Sequence, residues 1–175
     1  MPRVTKLGHV GIYVRDLDRM TAFYRDFLGM TVTKQNMGWG AVFLSSDPEA
    51  TDHEIALMRG DPESTDKLIN QISLRVDTLD DVRAVWRGLE AWGCRLHEVV
   101  SHVSAIGCYF FDPEGNRTEA FWLTGKTSWA VIAEPVDLSQ PDEVIMAQVE
   151  RGYERTRVIP MGGRTEQYLA PAGRS

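Results

Sequence analysis

Cysteine is nearly absent from the chain, and its two residues stand alone: Cys94 and Cys108 have neither metal-knuckle nor redox-pair spacing. That excludes a disulfide scaffold and a cysteine zinc site, and both thiols read as small buried hydrophobes. No run of roughly 18 apolar residues occurs, and no apolar core follows the basic residues near Met1, so no membrane span or signal peptide is expected and the expected compartment is the cytoplasm. Basic excess is lacking too. Nineteen Lys plus Arg face 25 Asp plus Glu, a net charge of −6, which argues against a nucleic acid or an anionic membrane as partner. Without a secretory signal, the sequon Asn116-Arg117-Thr118 reads as accidental. What is present is 43% hydrophobic residues in 175, enough for one domain or two small modules sharing a core.

Strand and helix periods alternate along the chain. Leu7 to Val14 reads as a strand with His9, Gly11 and Tyr13 on one face. Asp16 then caps a helix whose stripe is Leu17, Met20, Phe23, Tyr24 and Phe27, ended by Gly29. Short strands follow over Met30 to Lys34, Gly40 to Ser45 and Asp52 to Met58, the last with His53, Ile55 and Leu57 on one face. Asp61-Pro62-Glu63-Ser64-Thr65-Asp66 reads as a linker. Then the pattern restarts: Gly8-His9-Val10-Gly11-Ile12 falls on Asn70-Gln71-Ile72-Ser73-Leu74 at an offset of 62 residues, and the offset carries Leu17 onto Leu79, Met20 onto Val82 and Tyr24 onto Trp86. Strands over Cys94 to Val100, Ala105 to Phe111 and Asn116 to Leu123 complete the second set. A repeated β-α-β-β-β module means that each half supplies an incomplete core.

The domain is expected over 1–125, with modules 4–60 and 67–124, followed over 126–175 by an arm, a short helix and a tail. Ser139 reads as the cap of that helix, with Pro141, Asp142 and Glu143 in its first turn and Tyr153 near its end. Pro160 to Ser175 has no core-forming pattern and reads as an ordered arm on a partner or a flexible tail.

Gly107 to Trp122 holds the unusual chemistry. Asp112-Pro113-Glu114-Gly115 suits a tight turn between two apolar runs, so the stretch reads as a β-hairpin. Its second strand places Arg117, Glu119 and Phe121 on one face. A carboxylate among aromatics is costly unless compensated, and a bound metal is one such compensation. His97, alternating with Arg95 and Val99, reads as a surface residue.

Three motifs resemble the vicinal oxygen chelate superfamily of glyoxalases, bleomycin resistance proteins and type I extradiol dioxygenases: Leu7-Gly8-His9-Val10-Gly11-Ile12-Tyr13-Val14, His53-Glu54-Ile55-Ala56-Leu57, and Tyr109 through Glu119. With the arm Glu134-Pro135-Val136-Asp137-Leu138-Ser139, they are most similar to its small extradiol dioxygenase-like members. The resemblance implies an α+β fold of two paired βαβββ modules forming a cup-shaped mixed sheet around a divalent metal. It also implies an oxidoreductase of aromatic catabolism, which takes a small catechol-like substrate and dioxygen. In those dioxygenases two histidines and a glutamate hold iron, and they fall here on His9, Gln71 and Glu119. Gln71 replaces the second histidine and can bind through its carbonyl oxygen. The implied ion is Fe(II) foremost, with Mn(II) or another divalent ion as the alternative, because an amide oxygen is a harder donor than imidazole. Proton-handling residues of the family fall on His53, His102 and Tyr109. A catechol keeps its hydroxyl protons at neutral pH, so a base with a pKa in that range is needed, and histidine supplies one. Two alternatives stay open at this stage: a metal-dependent isomerase, epimerase or lyase of the glyoxalase type, and a non-catalytic small-molecule binding protein. A homodimer through the arm from Trp129 onward is compatible with either.

Overall fold

A computed structural model describes residues 2–27, 29–60, 69–111, 115 and 117–169. Its first module is β1 (Val4–Val14), α1 (Leu17–Ala22), β2 (Thr31–Asn36), β3 (Ala41–Ser45) and β4 (Ile55–Arg59). The second is β5 (Ile69–Val76), α2 (Leu79–Gly88), β6 (Arg95–Ser101), β7 (Ala105–Phe111) and β8 (Arg117–Leu123). A two-residue strand β9 (Glu134–Pro135) and helix α3 (Asp142–Thr156) follow. This is the mixed α+β fold of paired βαβββ modules that the repeat predicts. The expected linker 61–66, the turn at 112–114, Asn116 and the last residues of the tail, 170–175, lie outside the described residues, as do the side chains of Phe23 and Phe27.

The chain forms two compact units. The first comprises Met1–Val10, Gln71–Ser128 and Ile132–Arg155; the second comprises Gly11–Asn70, Trp129–Val131 and Thr156–Ser175. In the first unit the strand order is β1-β5-β8-β7-β6-β9. β7 sends Ile106, Cys108 and Phe110 into a core shared with Val76, with Leu79 and Val82 of α2, and with Ile145 and Val149 of α3. Each fully buried aliphatic residue there stabilises the fold by about 1.5–3 kcal/mol. Strand alternation turns Gly107 and Tyr109 to the opposite face, and in β8 it separates Arg117, Glu119 and Phe121 from Ala120 and Trp122 in the same way. The Thr78 side chain accepts from the Asp81 amide while the Asp81 carboxylate accepts from the Thr78 amide, a capping box that starts α2.

In the second unit the order is β2-β3-β4-β1, over a core of Val14, Leu17, Val42, Leu44 and Leu57. Asp16 caps α1 as expected, its Oδ1 accepting from the Arg19 amide at 2.9 Å. The helix is shorter than its apolar stripe suggests. Thr21 donates its hydroxyl to the Leu17 carbonyl at 2.7 Å, a local competitor of the helical ladder, and the chain loosens into a π turn over Phe23–Phe27 before Gly29 turns at φ 74°.

Three further expectations are corrected. Ser139 does not cap α3: its hydroxyl donates to Asp137 at 2.6 Å, and the Pro141 carbonyl takes the Ile145 amide at 3.2 Å, because the turn over 137–140 precedes the helix. His53 precedes β4, which starts at Ile55. The segment 160–169 is an ordered arm on its own unit, where Gly162 N donates to the Thr33 carbonyl at 2.7 Å and Gln35 donates to the Gly162 carbonyl at 2.7 Å. Among the described residues no helix is long and apolar enough to cross a membrane.

Candidate metal centre

Register builds the centre. β5 and β8 run parallel with Ser73 opposite Glu119, while β7 and β8 run antiparallel with Tyr109 opposite the same residue. Glu119 therefore has a hydroxyl-bearing neighbour on each side, at 1% exposure. Space for its carboxylate comes from Gly107, where a Cβ would meet Glu119 Oε1 at 2.3 Å. Gly8 likewise leaves room for the Phe121 ring, which lies 5.9 Å from the His9 imidazole. Gly107→Ala is accordingly expected to displace the carboxylate, costing about 1–3 kcal/mol in thermal denaturation and weakening any cation bound there.

His9, Gln71, Ser73 and Glu119 are all buried and their polar ends converge. His9 Nε2 lies 2.9 Å from Gln71 Nε2, 2.8 Å from Ser73 Oγ and 3.7 Å from Glu119 Oε2. Ser73 Oγ is 2.6 Å from Glu119 Oε2, and Gln71 Nε2 is 3.0 Å from Ser73 Oγ and 3.4 Å from Glu119 Oε2. No proton arrangement satisfies every one of these contacts while Glu119 is a carboxylate, which only accepts. If His9 Nε2 carries the hydrogen, it faces the Gln71 NH2, donor against donor. If it carries the lone pair, the Ser73 hydroxyl, spent on Glu119, faces it acceptor against acceptor. A cation taking the imidazole nitrogen, the carboxylate and oxygen donors as ligands removes the conflict, and such a donor set suits a divalent ion. His9 and Glu119 thus fit a metal. Gln71 completes the set only with its oxygen inward, and here it presents its nitrogen. Among the described residues no three His, Cys, Asp or Glu side chains form a metal cluster, so a third ligand from these side chains would have to be the amide or the hydroxyl.

Tyr109 and His102 stand next to this centre. The Tyr109 hydroxyl lies 2.9 Å from His102 Nε2, and His102 Nδ1 lies 2.6 Å from the Ile132 carbonyl. A carbonyl only accepts, so Nδ1 bears the hydrogen, and Nε2 is the nitrogen turned to the tyrosine. Burial, and next the charge of Glu119, hold the Tyr109 phenol well above its ordinary pKa of 10.0 against the opposing pull of Arg117. It therefore stays a donor at neutral pH. His102 sits in the β6–β7 connection beside Val103, a fully buried residue held at φ 69°. A β-branched residue there is strained, and the Thr124 hydroxyl at 2.6 Å from the Val103 carbonyl helps to hold it.

His53 belongs to the second unit. Its Nδ1 lies 3.5 Å from Asp52 Oδ2, and its ring meets Phe43 edge-on at 4.8 Å. The same carboxylate oxygen is 2.6 Å from the buried Lys34 ammonium. His97, half exposed beside Glu98, is a surface residue as predicted. Cys108 is inert, its thiol pushed up to about 12 by burial and by Glu119. Ser73 and Arg117 escaped the sequence reading. Period-2 spacing from Gln71 was the available signal for Ser73, and shared facing with Glu119 the signal for Arg117.

Paired βαβββ modules that bring a first-strand histidine and a last-strand glutamate into one buried cluster define a glyoxalase-type fold. The chain belongs to the Glyoxalase/Bleomycin resistance protein/Dioxygenase superfamily, whose profile matches residues 6–120. No protein of curated function matches it. Similar solved structures include the Mn(II)-bound glyoxalase from Novosphingobium aromaticivorans, at 27% identity and a TM-score of 0.60 over 70% of this chain and 40% of that one. A mutant homoprotocatechuate 2,3-dioxygenase from Brevibacterium fuscum is similar at 23% identity and a TM-score of 0.60, over 73% of this chain and 35% of that one. The 2,3-dioxygenase LapB from Pseudomonas sp. KL28 follows at 17% identity and a TM-score of 0.59, over 68% and 42%. The chain spans about two-fifths of the length of these neighbours.

Proposed function

We propose that this protein is a metal-dependent, extradiol-type ring-cleaving dioxygenase acting on a catechol-like aromatic. The observation that carries the metal is the buried His9–Ser73–Gln71–Glu119 cluster, whose contacts cannot all be hydrogen bonds. His9 and Glu119 would hold a divalent ion, Fe(II) or Mn(II), with Gln71 as the third ligand through its oxygen. When bound, the ion supplies acidification of one catechol hydroxyl and open positions for the reactants. The side chains do the rest. His102 exchanges a proton at Nε2, and Tyr109, kept protonated, donates to charge developing on a substrate oxygen. The strain at Val103 supports a working role for the loop that carries His102. His53 is assigned proton exchange on the resemblance alone.

Anaerobic loading with Fe(II), re-aeration and addition of a catechol panel test the reading through oxygen uptake and a yellow ring-opened product. Metal retention without oxygen uptake on any catechol would move the protein to the isomerase and lyase chemistries of the fold. Tyr109→Phe and His102→Ala are each expected to lower kcat by roughly 10²-fold or more, with metal affinity within a few-fold of wild type. The same pair of measurements on His53→Gln decides whether His53 takes part.

A further inference from the structure

The orientation of the Gln71 amide is set from outside the His9–Glu119 pair. Arg117 Nη1 donates to Gln71 Oε1, while its Nη2 donates to Glu98 Oε1 at 3.1 Å and its guanidinium lies 4.4 Å from the centre of the Tyr109 ring. A guanidinium has five donors and no acceptor. The amide oxygen must therefore face Arg117 and the NH2 must face His9, Ser73 and Glu119. Chemistry alone fixes this choice, whichever way the amide is drawn.

We infer that Arg117 is a positioning residue that latches Gln71 with its donor end toward His9 and Glu119, so that a cation gains its third ligand only when Gln71 leaves Arg117 and turns its oxygen inward. The inference rests on the metal-dependent reading above. Release strands no charge, because Arg117, 24% exposed at the side chain, keeps Glu98 and the Tyr109 face. With the latch closed the amide oxygen is satisfied by Arg117, so the ion competes with a charge-assisted hydrogen bond as well as with water.

The test is a cycle of Mn(II) titrations on wild type, Arg117→Met, Gln71→Ala and the double variant, read by calorimetry. Losing a hydrogen bond to a charged group corresponds to about a 10- to 100-fold change. Arg117→Met is expected to tighten Mn(II) binding by about that factor in the presence of Gln71, and by only a few-fold in the Gln71→Ala background, where the charge alone acts. Arg117→Gln offers an acceptor as well as donors and so no longer fixes the Gln71 amide; its expected gain, about 10-fold, carries the test if Arg117→Met melts below wild type. An equal gain with and without Gln71 would overturn the latch in favour of simple charge repulsion, and no gain would overturn it as well. Failure of every variant to bind Mn(II), Gln71→His included, would bring down the metal reading and the latch together, an outcome distinct from the first two.

Discussion

Glu119→Gln is expected to weaken binding of Fe(II) or Mn(II) by roughly 100-fold or more, since even the outer partners of metal ligands are typically worth 10- to 100-fold. The substitution keeps the shape of a side chain that is 1% exposed, so the backbone register of β8 and the space left by Gly107 stay as they are. What goes is, among the described residues, the one group at the centre carrying a full negative charge, against which Arg117 already supplies a positive one. Gln71 and Ser73 can each add an oxygen, but neither neutralises an ion. By mass action, a saturating metal raises the melting temperature of wild type and is expected to leave that of Glu119→Gln unchanged. Comparing melting temperatures with and without metal checks this, and the two readouts guard each other. Wild-type affinity in the variant would show that the ion, if one binds, sits elsewhere.

The residues of this centre were unequally legible from sequence. Glu119 stood out because an acid inside an apolar strand needs a partner, and the 62-residue repeat then paired His9 with Gln71. The contact of those two side chains at 2.9 Å is the physical content of that repeat. Ser73 was hidden because a serine in a strand is ordinary; only the parallel register of β5 against β8, a long-range property, makes it the neighbour of Glu119. The direction of the Gln71 amide was likewise beyond reach, since it depends on Arg117 from another strand. In the fold, apolar period identified the strands and helices, but ends were missed where local polar bonds prevailed. Thr21 loosened α1, Asp137 held Ser139 in a turn, and the arm at 160–169 found the edge of β2 through backbone bonds that leave no apolar signature.

Substitution at Asp52 is expected to produce the largest loss of stability. Lys34, at 5% side-chain exposure, is paired at 2.6 Å with Asp52 at 26%, and its ammonium lies 5.3 Å from the Phe43 ring. Removing one partner of a buried pair strands the other, at a cost of about 3–5 kcal/mol. Asp52→Asn leaves the deeper charge behind and is expected to fall within that range. Lys34→Met leaves the more exposed carboxylate and is expected to cost less, and the double variant, with no charge stranded, to recover most of the difference. The pH dependence has a definite sign. Burial pushes the Asp52 carboxyl up, but Lys34 and then His53 outweigh it and hold it well below its ordinary 3.8. Folded Asp52 thus resists a proton that the unfolded chain accepts, so its contribution is fully present above about pH 4 and is lost as the pH falls below it. Wild type should lose stability on acidification from pH 5 to pH 2, and Asp52→Asn should lose less over the same interval. Parallel acid profiles for the two proteins, measured by urea denaturation, would mean that Lys34 and Asp52 contribute nothing as a pair.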